Sequence, residues 1–114
     1  MKRLFSLSAL CIALLSSGLH ASERAETGWE MIGEGALVVD VRTPDEFKQG
    51  HLDNAINYPL SEVATHFASI DKAQPIVLYC RSGNRSGQAY QYLKAQGFTQ
   101  IHNAGGLIEM QESK

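Results

Sequence analysis

Apolar runs separated by short polar stretches divide most of the chain into alternating strands and helices. Two runs of strand length are almost continuously apolar: residues 36–41, interrupted only by Asp40, and residues 76–79. Strands that are covered by helices on both faces of a parallel sheet have this continuous pattern. The pattern therefore predicts an α/β fold with a mostly parallel central sheet flanked by helices.

The segments between these runs contain recognisable helix starts and stops. Thr43, Pro44 and Glu46 fit a capping box with proline in the first turn, and Ser61 can cap a second helix. The predicted helices cover residues 22–34, 43–50, 61–69 and 88–96, the shorter strands cover 54–57 and 100–102, a turn opens at 105–106, and a helical turn covers 107–111. This alternation of strand and helix predicts right-handed crossovers.

The N-terminal segment has the pattern of a secretory signal peptide. Lys2 and Arg3 precede an apolar stretch at residues 4–15, and small and polar residues follow as far as Ala21. The apolar stretch is short for a membrane span, which makes an uncleaved anchor helix the weaker alternative. We therefore predict cleavage near Ala21, export to the periplasm, and a single domain at residues 22–114.

The charge of residues 22–114 limits the classes of partner. These residues carry eight lysines and arginines and twelve aspartates and glutamates, a net charge of −4, and contain no basic run. Nucleic acids and anionic membrane surfaces are therefore not expected partners. We expect a monomer.

Cleavage would also remove Cys11 and leave Cys80 as the only cysteine. No intrachain disulfide could then form, and the Cys-X-X-Cys spacing of many zinc sites is absent. We expect neither a metal nor a cofactor. A sole thiol in an exported protein needs a chemical explanation.

Cys80 ends an apolar strand and begins the segment Cys80-Arg81-Ser82-Gly83-Asn84-Arg85-Ser86, which leads into a helix. Backbone N–H groups at such a turn, the positive end of the helix dipole and two arginines all favour an anion there. We therefore predict that the thiol pKa is lowered and that Cys80 is a nucleophile. The alternative is a buried structural cysteine, but two neighbouring cations would then have no packing role.

Other polar residues follow the ends of other predicted strands. Asp40-Val41-Arg42 closes the first strand, and Asn103 to Gly106 follow the last one. The carboxyl ends of parallel strands share one edge of the sheet, so these residues could meet Cys80 at a common ligand site. Arg42 could instead pair with Asp40 or with nearby carbonyls, and His51 is expected to fix a turn.

Three motifs, in the right order, resemble the rhodanese (sulfurtransferase) family, in a short exported form. The match spans nearly all of residues 28–110, although Leu107 stands where many relatives have tryptophan. The matching residues are Asp40-Val41-Arg42, Glu46-Phe47, Gly50-His51, Ala55-Ile56-Asn57 and Pro59 before the loop, Tyr79 to Ser86 in the loop, and Asn103-Ala104-Gly105-Gly106 after it.

The resemblance implies a small three-layer α/β sandwich and a thiosulfate sulfurtransferase in which Cys80 carries sulfur as a persulfide. The donor would be thiosulfate, and the acceptor cyanide or a thiol. Arg85 is expected to bind the sulfonate group ahead of Arg81, because it can offer a planar fork of donors. The residues predicted to bind the substrate are Arg81, Ser82, Gly83, Asn84, Arg85 and Ser86.

Three other functions remain open on the sequence. A cysteine-dependent phosphatase or arsenate reductase also places an arginine after its cysteine, but such phosphatases have five intervening residues, whereas four separate Cys80 from Arg85. A persulfide carrier for a protein partner would use the same loop, and so the sequence does not separate it from an enzyme. A non-catalytic binding module would not need the cysteine and both arginines.

Overall fold

The computed structural model describes residues 21–114 and shows one four-stranded sheet. The strand order is β2-β1-β3-β4, and every neighbouring pair is parallel. The predicted α/β architecture with a parallel sheet is thus confirmed. The strands are β1 (Leu37–Asp40), β2 (Ile56–Asn57), β3 (Ile76–Cys80) and β4 (Ile101–Gly106).

Five α-helices and one short 3₁₀ helix connect or follow the strands of the described part. The predicted capping box is present at the start of the helix Pro44–Lys48, where the Thr43 hydroxyl accepts from the Glu46 amide and the Glu46 carboxylate accepts from the Thr43 amide. None of the described helices is long and apolar enough to span a bilayer. The helices are α1 (Glu23–Gly33), α2 (Pro44–Lys48), the 3₁₀ helix (Leu60–Glu62), α3 (Val63–Phe67), α4 (Asn84–Ala95) and α5 (Leu107–Glu112).

The predicted signal peptide lies outside the described residues, except for Ala21. Its cleavage, the predicted domain boundary and the predicted location therefore stay predictions.

Strand β3 lies between two apolar layers because its side chains alternate between the faces of the sheet. Leu78 and Cys80 belong to the cluster beneath α3 and α4, whereas Val77 and Tyr79 belong to the cluster beneath α1 and α5. A fully buried aliphatic or aromatic side chain contributes on the order of 2 kcal/mol to folding. Burial on both faces therefore fixes the position of the strand that ends at Cys80, and with it the start of the loop.

Two predicted boundaries near the loop are wrong. Helix α4 begins at Asn84 rather than at residue 88, so Asn84, Arg85 and Ser86 of the predicted loop lie in its first turn. Strand β4 continues to Gly106, where a turn was predicted, because Gly106 pairs with Cys80. A side chain at Gly106 would overlap the Arg81 carbonyl, which accounts for glycine there.

Two other elements are shorter than predicted. The segment at 61–69 is a 3₁₀ turn followed by the five residues of α3, and β2 has two residues rather than four. Asn54 has a φ of 64°, which an extended strand does not accommodate. These differences lie away from the carboxyl end of β3 and do not alter the loop.

Candidate active site

The Cys80 sulfur lies at the carboxyl end of β3, beneath the first turn of α4, and the residue is 1% exposed. The Gly83 amide donates a hydrogen bond to Sγ at 3.0 Å. The Ser86 hydroxyl lies 3.3 Å from the same atom. Gly83 precedes α4 with a φ of 96°, a left-handed conformation that favours glycine and turns its amide towards the sulfur. The predicted turn thus directs donors at the thiol.

The surroundings of Cys80 favour its ionised form. Burial raises the pKa of the thiol, but hydrogen bonds from the Ser86 hydroxyl and from the amides of Ser86, Ser82 and Gly83 outweigh burial and hold the pKa below its ordinary value. The direction agrees with the sequence prediction. The causes that lower the pKa are hydrogen-bond donors, however, and not the two arginines of the loop.

Asn103, from β4, fixes the orientation of Ser86. Its Oδ1 lies 2.7 Å from the Ser86 hydroxyl and accepts from the Gly105 amide at 3.1 Å, while its Nδ2 donates to the Gly83 carbonyl at 3.0 Å. Strand β4 therefore holds two of the residues that donate to the sulfur, Ser86 and Gly83. The expectation that the segment from Asn103 meets Cys80 at one edge of the sheet is confirmed.

Arg85 is engaged in an ion pair. Its Nη1 and Nη2 lie 2.7 and 3.0 Å from the two carboxylate oxygens of Glu46 on α2. Arg85 holds the pKa of Glu46 down to about 2, with help from the Thr43 amide. The fork that we expected to bind a substrate is thus already occupied by a carboxylate.

Arg81 is exposed and borders a cavity of about 410 Å³ at the carboxyl edge of the sheet. No ion pair or hydrogen bond of its side chain is found among residues 21–114. Polar and apolar side chains share the lining, with Leu107 and Ile108 contributing the apolar part. The residues around the cavity are Arg42, Glu46, Gln49, Gly50, Arg81, Leu107 and Ile108.

Arg42 and His51 have the structural roles that we predicted. The Arg42 guanidinium donates to the buried Asp40 carboxylate, with Nη2 2.6 Å from Oδ2, and to the Gly50 carbonyl at 2.7 Å. His51 Nδ1 donates to the Phe47 carbonyl at 2.7 Å, and its ring stacks on Phe47. Both residues therefore fix the segment that faces the loop.

The remaining predicted site residues lie at the loop surface. Ser82 is exposed, and its carbonyl accepts from an arginine of α1. Asn84 is also exposed, and its Oδ1 accepts from Gln88 at 3.5 Å.

Residues 21–114 contain no group of histidine, cysteine, aspartate and glutamate side chains that could hold a metal ion.

The sequence did not indicate Arg24 and Glu109, which meet beside the loop. Arg24 Nε and Nη2 each lie 2.8 Å from a Glu109 oxygen, and Nη2 also donates to the Ser82 carbonyl at 3.1 Å. The pair joins α1 to α5 across 85 positions of sequence. Neither residue belongs to a motif that we identified, so only the fold shows their proximity to Cys80.

Comparison with known proteins agrees with this geometry. The rhodanese-like domain profile matches residues 24–112. Thiosulfate sulfurtransferase PspE of Escherichia coli strain K12 is 42% identical over 74 residues, which cover 63% of this chain and 71% of that protein. Thiosulfate sulfurtransferase GlpE of Pseudomonas syringae pv. syringae is 32% identical over 77 residues, with coverages of 68% and 73%.

A solved structure described as a rhodanese with anions from E. coli superposes with a TM-score of 0.61 and 40% identity, covering 66% of this chain and 91% of that one. The profile, the sequence relatives and the superposition agree on one family. The chain therefore belongs to the rhodanese family of sulfurtransferases.

Proposed function

We propose that the protein is a thiosulfate sulfurtransferase that carries sulfane sulfur on Cys80 and passes it to cyanide or a thiol. The observation that carries the proposal is the pair of donors on the Cys80 sulfur, the Gly83 amide at 3.0 Å and the Ser86 hydroxyl at 3.3 Å. Such donors stabilise a thiolate, which is the nucleophilic form of cysteine. The names of the relatives PspE and GlpE support thiosulfate as the donor.

The reaction consists of two displacements. The Cys80 thiolate attacks the outer sulfur of thiosulfate, a new S–S bond forms, the S–S bond of thiosulfate breaks, and sulfite leaves with the bonding electron pair. The outer sulfur of the persulfide is then attacked by the acceptor, which for cyanide gives thiocyanate and restores the thiolate. Both resting states are anionic, and the amides of the loop stabilise each of them without a proton transfer.

We assign the sulfonate oxygens of thiosulfate to Arg81. Arg85 is bound by both oxygens of Glu46, and Arg42 by Asp40. Arg81 borders the cavity at the same edge of the sheet and has a guanidinium without an ion pair in the described part. A doubly charged donor needs a cation with free N–H groups, and Arg81 meets that need better than Arg85.

The intact mass of residues 22–114 after thiosulfate treatment tests the proposal. We expect one added sulfur, about 32 Da, which cyanide removes with release of thiocyanate. The Cys80→Ser variant should gain no mass, because serine cannot form a persulfide. A wild-type protein that binds thiosulfate but never gains sulfur would contradict the proposal.

Hydrolysis of an aryl phosphate by the same preparation tests the phosphatase alternative. The four-residue spacing between Cys80 and Arg85 predicts no phosphate release above the Cys80→Ser background. Release that depends on Cys80 would instead favour phosphoryl transfer. Sulfur loading without transfer to cyanide or to small thiols would favour a persulfide carrier for a protein acceptor.

A further inference from the structure

Arg24 approaches the nucleophile's loop from an element that is distant in sequence. It lies in the first turn of α1, and its Nη2 donates to the Ser82 carbonyl, 58 positions away, at 3.1 Å. A side chain at Gly83 would come within 2.8 Å of both terminal nitrogens of Arg24. The guanidinium therefore lies directly against the residue whose amide donates to Cys80 Sγ.

The position of Arg24 is fixed from several sides. The Glu109 carboxylate accepts hydrogen bonds from Arg24 Nε and Nη2, each at 2.8 Å. It also accepts from the Ser22 hydroxyl at 2.7 Å and from the Gly106 amide at 3.2 Å. Because Gly106 pairs with Cys80 in the sheet, the Glu109 carboxylate is tied to the strand edge beside the thiol. A bidentate arginine–carboxylate pair has a defined geometry, which a single contact does not provide.

We propose that Arg24 is a positioning residue for the nucleophile: anchored on Glu109, it holds the Ser82 carbonyl so that the next amide, of Gly83, stays directed at Cys80 Sγ. The proposal rests on the proposed function only for the identity of the nucleophile. The side chain of Arg24 hydrogen-bonds to Glu109 and to the Ser82 carbonyl and not to Cys80, so its loss should change the pKa of Cys80 more than the affinity for thiosulfate.

The sign of the electrostatic effect agrees with this role. Arg24 is a cation close to the loop, and the ionised Cys80 sulfur is among the groups that raise the Arg24 pKa, after the larger effect of Glu109. The interaction is mutual: if the thiolate stabilises the protonated form of Arg24, then the Arg24 cation stabilises the ionised form of Cys80. The side chain of Arg24 is 43% exposed, so its replacement leaves no buried cavity.

The test compares the pH profile of Cys80 alkylation by iodoacetamide in wild type, Arg24→Gln, Arg24→Lys and Glu109→Gln. We expect the midpoint to rise by about one pH unit in Arg24→Gln, and by less in Arg24→Lys, which keeps the charge and loses the fork. Glu109→Gln should shift the midpoint in the same direction. Lys94→Gln, at the far end of α4, is the matched control and should leave the midpoint unchanged.

Single-turnover loading with thiosulfate gives a second readout. At a pH well below both measured midpoints, the loading rate of Arg24→Gln should fall about tenfold if the midpoint rises by one unit, while the half-saturating thiosulfate concentration changes less than about threefold. A role in folding alone would lower thermal stability without moving the alkylation midpoint of the folded protein. If Arg24→Gln does not fold, Arg24→Lys and Glu109→Gln decide the question by the same midpoint.

Unchanged midpoints in all the folded variants would overturn the proposal. A raised half-saturating concentration with an unchanged midpoint would do so too, because it would place Arg24 in substrate binding. Alkylation needs no sulfur donor. If the wild-type protein took no sulfur from thiosulfate, the proposed function would fail, whereas the alkylation comparison would still decide the role of Arg24.

Discussion

Ser86 has one hydroxyl proton and two acceptors within reach. Its Oγ lies 2.7 Å from Asn103 Oδ1 and 3.3 Å from Cys80 Sγ. When Cys80 ionises, the sulfur becomes the stronger acceptor, and the hydroxyl can turn to it at little cost. Ser86 therefore favours the charged form more than the neutral one, which is the condition for lowering a pKa.

Replacement of Ser86 by alanine should raise the pKa of Cys80 by about half a unit to one unit, because one of several donors to the thiolate is lost. The midpoint of thiolate absorbance or of alkylation against pH measures the shift. Ser69→Ala, on the exposed surface, is the control. A midpoint that stays in place would mean that the amides alone stabilise the thiolate.

The two loop arginines should respond differently to replacement by alanine. Arg81→Ala should raise the half-saturating thiosulfate concentration about tenfold, since a charge-assisted contact contributes about 1.5 kcal/mol, and should leave thermal stability unchanged because Arg81 is exposed. Arg85→Ala should lower the free energy of unfolding by about 1 kcal/mol, because Glu46 loses its partner. Saturation curves and thermal melts of the same preparations compare the two. If Arg85→Ala raised the half-saturating concentration and Arg81→Ala lowered stability instead, Arg85 would be the residue that binds the sulfonate group.

At the scale of the elements, α1 carries Arg24 and packs against β4 through a glycine. A Cβ atom at Gly28 would lie 2.7 Å from Ala104 Cβ, which cannot move aside as a flexible side chain could. The closest approach of the helix to the sheet therefore depends on glycine at this position. Any outward movement of α1 would also withdraw Arg24 from the loop.

Gly28→Ala should destabilise the protein by about 1–3 kcal/mol through overpacking. It should also raise the pH midpoint of Cys80 alkylation, as Arg24→Gln does. Gly33 lies in the last turn of the same helix, and a Cβ atom there would meet nothing from the rest of the fold within 4 Å. Gly33→Ala is thus the matched control and should stabilise the fold by up to about 1 kcal/mol. Equal melting temperatures for the two variants would contradict this packing account.

The sequence predicted correctly the elements that depend on residues close to one another in the chain. The apolar run of β3, the capping box of α2 and the glycine-containing turn after Cys80 each depend on neighbouring residues, and all three are present in the structure. The ion pairs of the site are not local. Glu46 and Arg85 are 39 positions apart, and Arg24 and Glu109 are 85 apart, so no spacing rule could join them. The ion pair of Arg85 with Glu46 was not predicted for this reason, and the predicted role of Arg85 in substrate binding stays a prediction.

At the scale of the whole molecule, the same two ion pairs link the site to stability at low pH. The pKa values of Glu46 and Glu109 are lowered to about 2, chiefly by hydrogen bonds from Arg85 and Arg24. Their unfolded-state values lie near 4.5. The ionised carboxylates therefore stabilise the fold above pH 4.5, and this contribution is lost as the pH falls from about 4.5 to about 2.

The free energy of unfolding in urea should consequently decline between pH 4.5 and 2. Glu46→Gln and Glu109→Gln should each lower it at pH 7 and make its decline in acid shallower, because the titrating group is gone. Glu26→Gln, at an exposed position of α1, should leave the slope unchanged. If neither site variant changed the slope, other carboxylates would be responsible for the acid sensitivity.

The contacts of Ser22 bear on the predicted cleavage after Ala21. Ser22 caps α1 through a hydrogen bond from the Ala25 amide at 3.2 Å, its hydroxyl donates to Glu109, and its backbone nitrogen donates to Ser113 Oγ at 3.1 Å. Cleavage after Ala21 would keep all three contacts, since an ammonium group can also donate to Ser113. Cleavage beyond Ser22 would remove the cap, which costs about 1 kcal/mol, and would loosen Glu109. We therefore predict that the full chain, expressed in a bacterium with a periplasm, yields a periplasmic protein whose intact mass is that of residues 22–114. A mass that includes residues 1–21 would contradict the signal-peptide prediction.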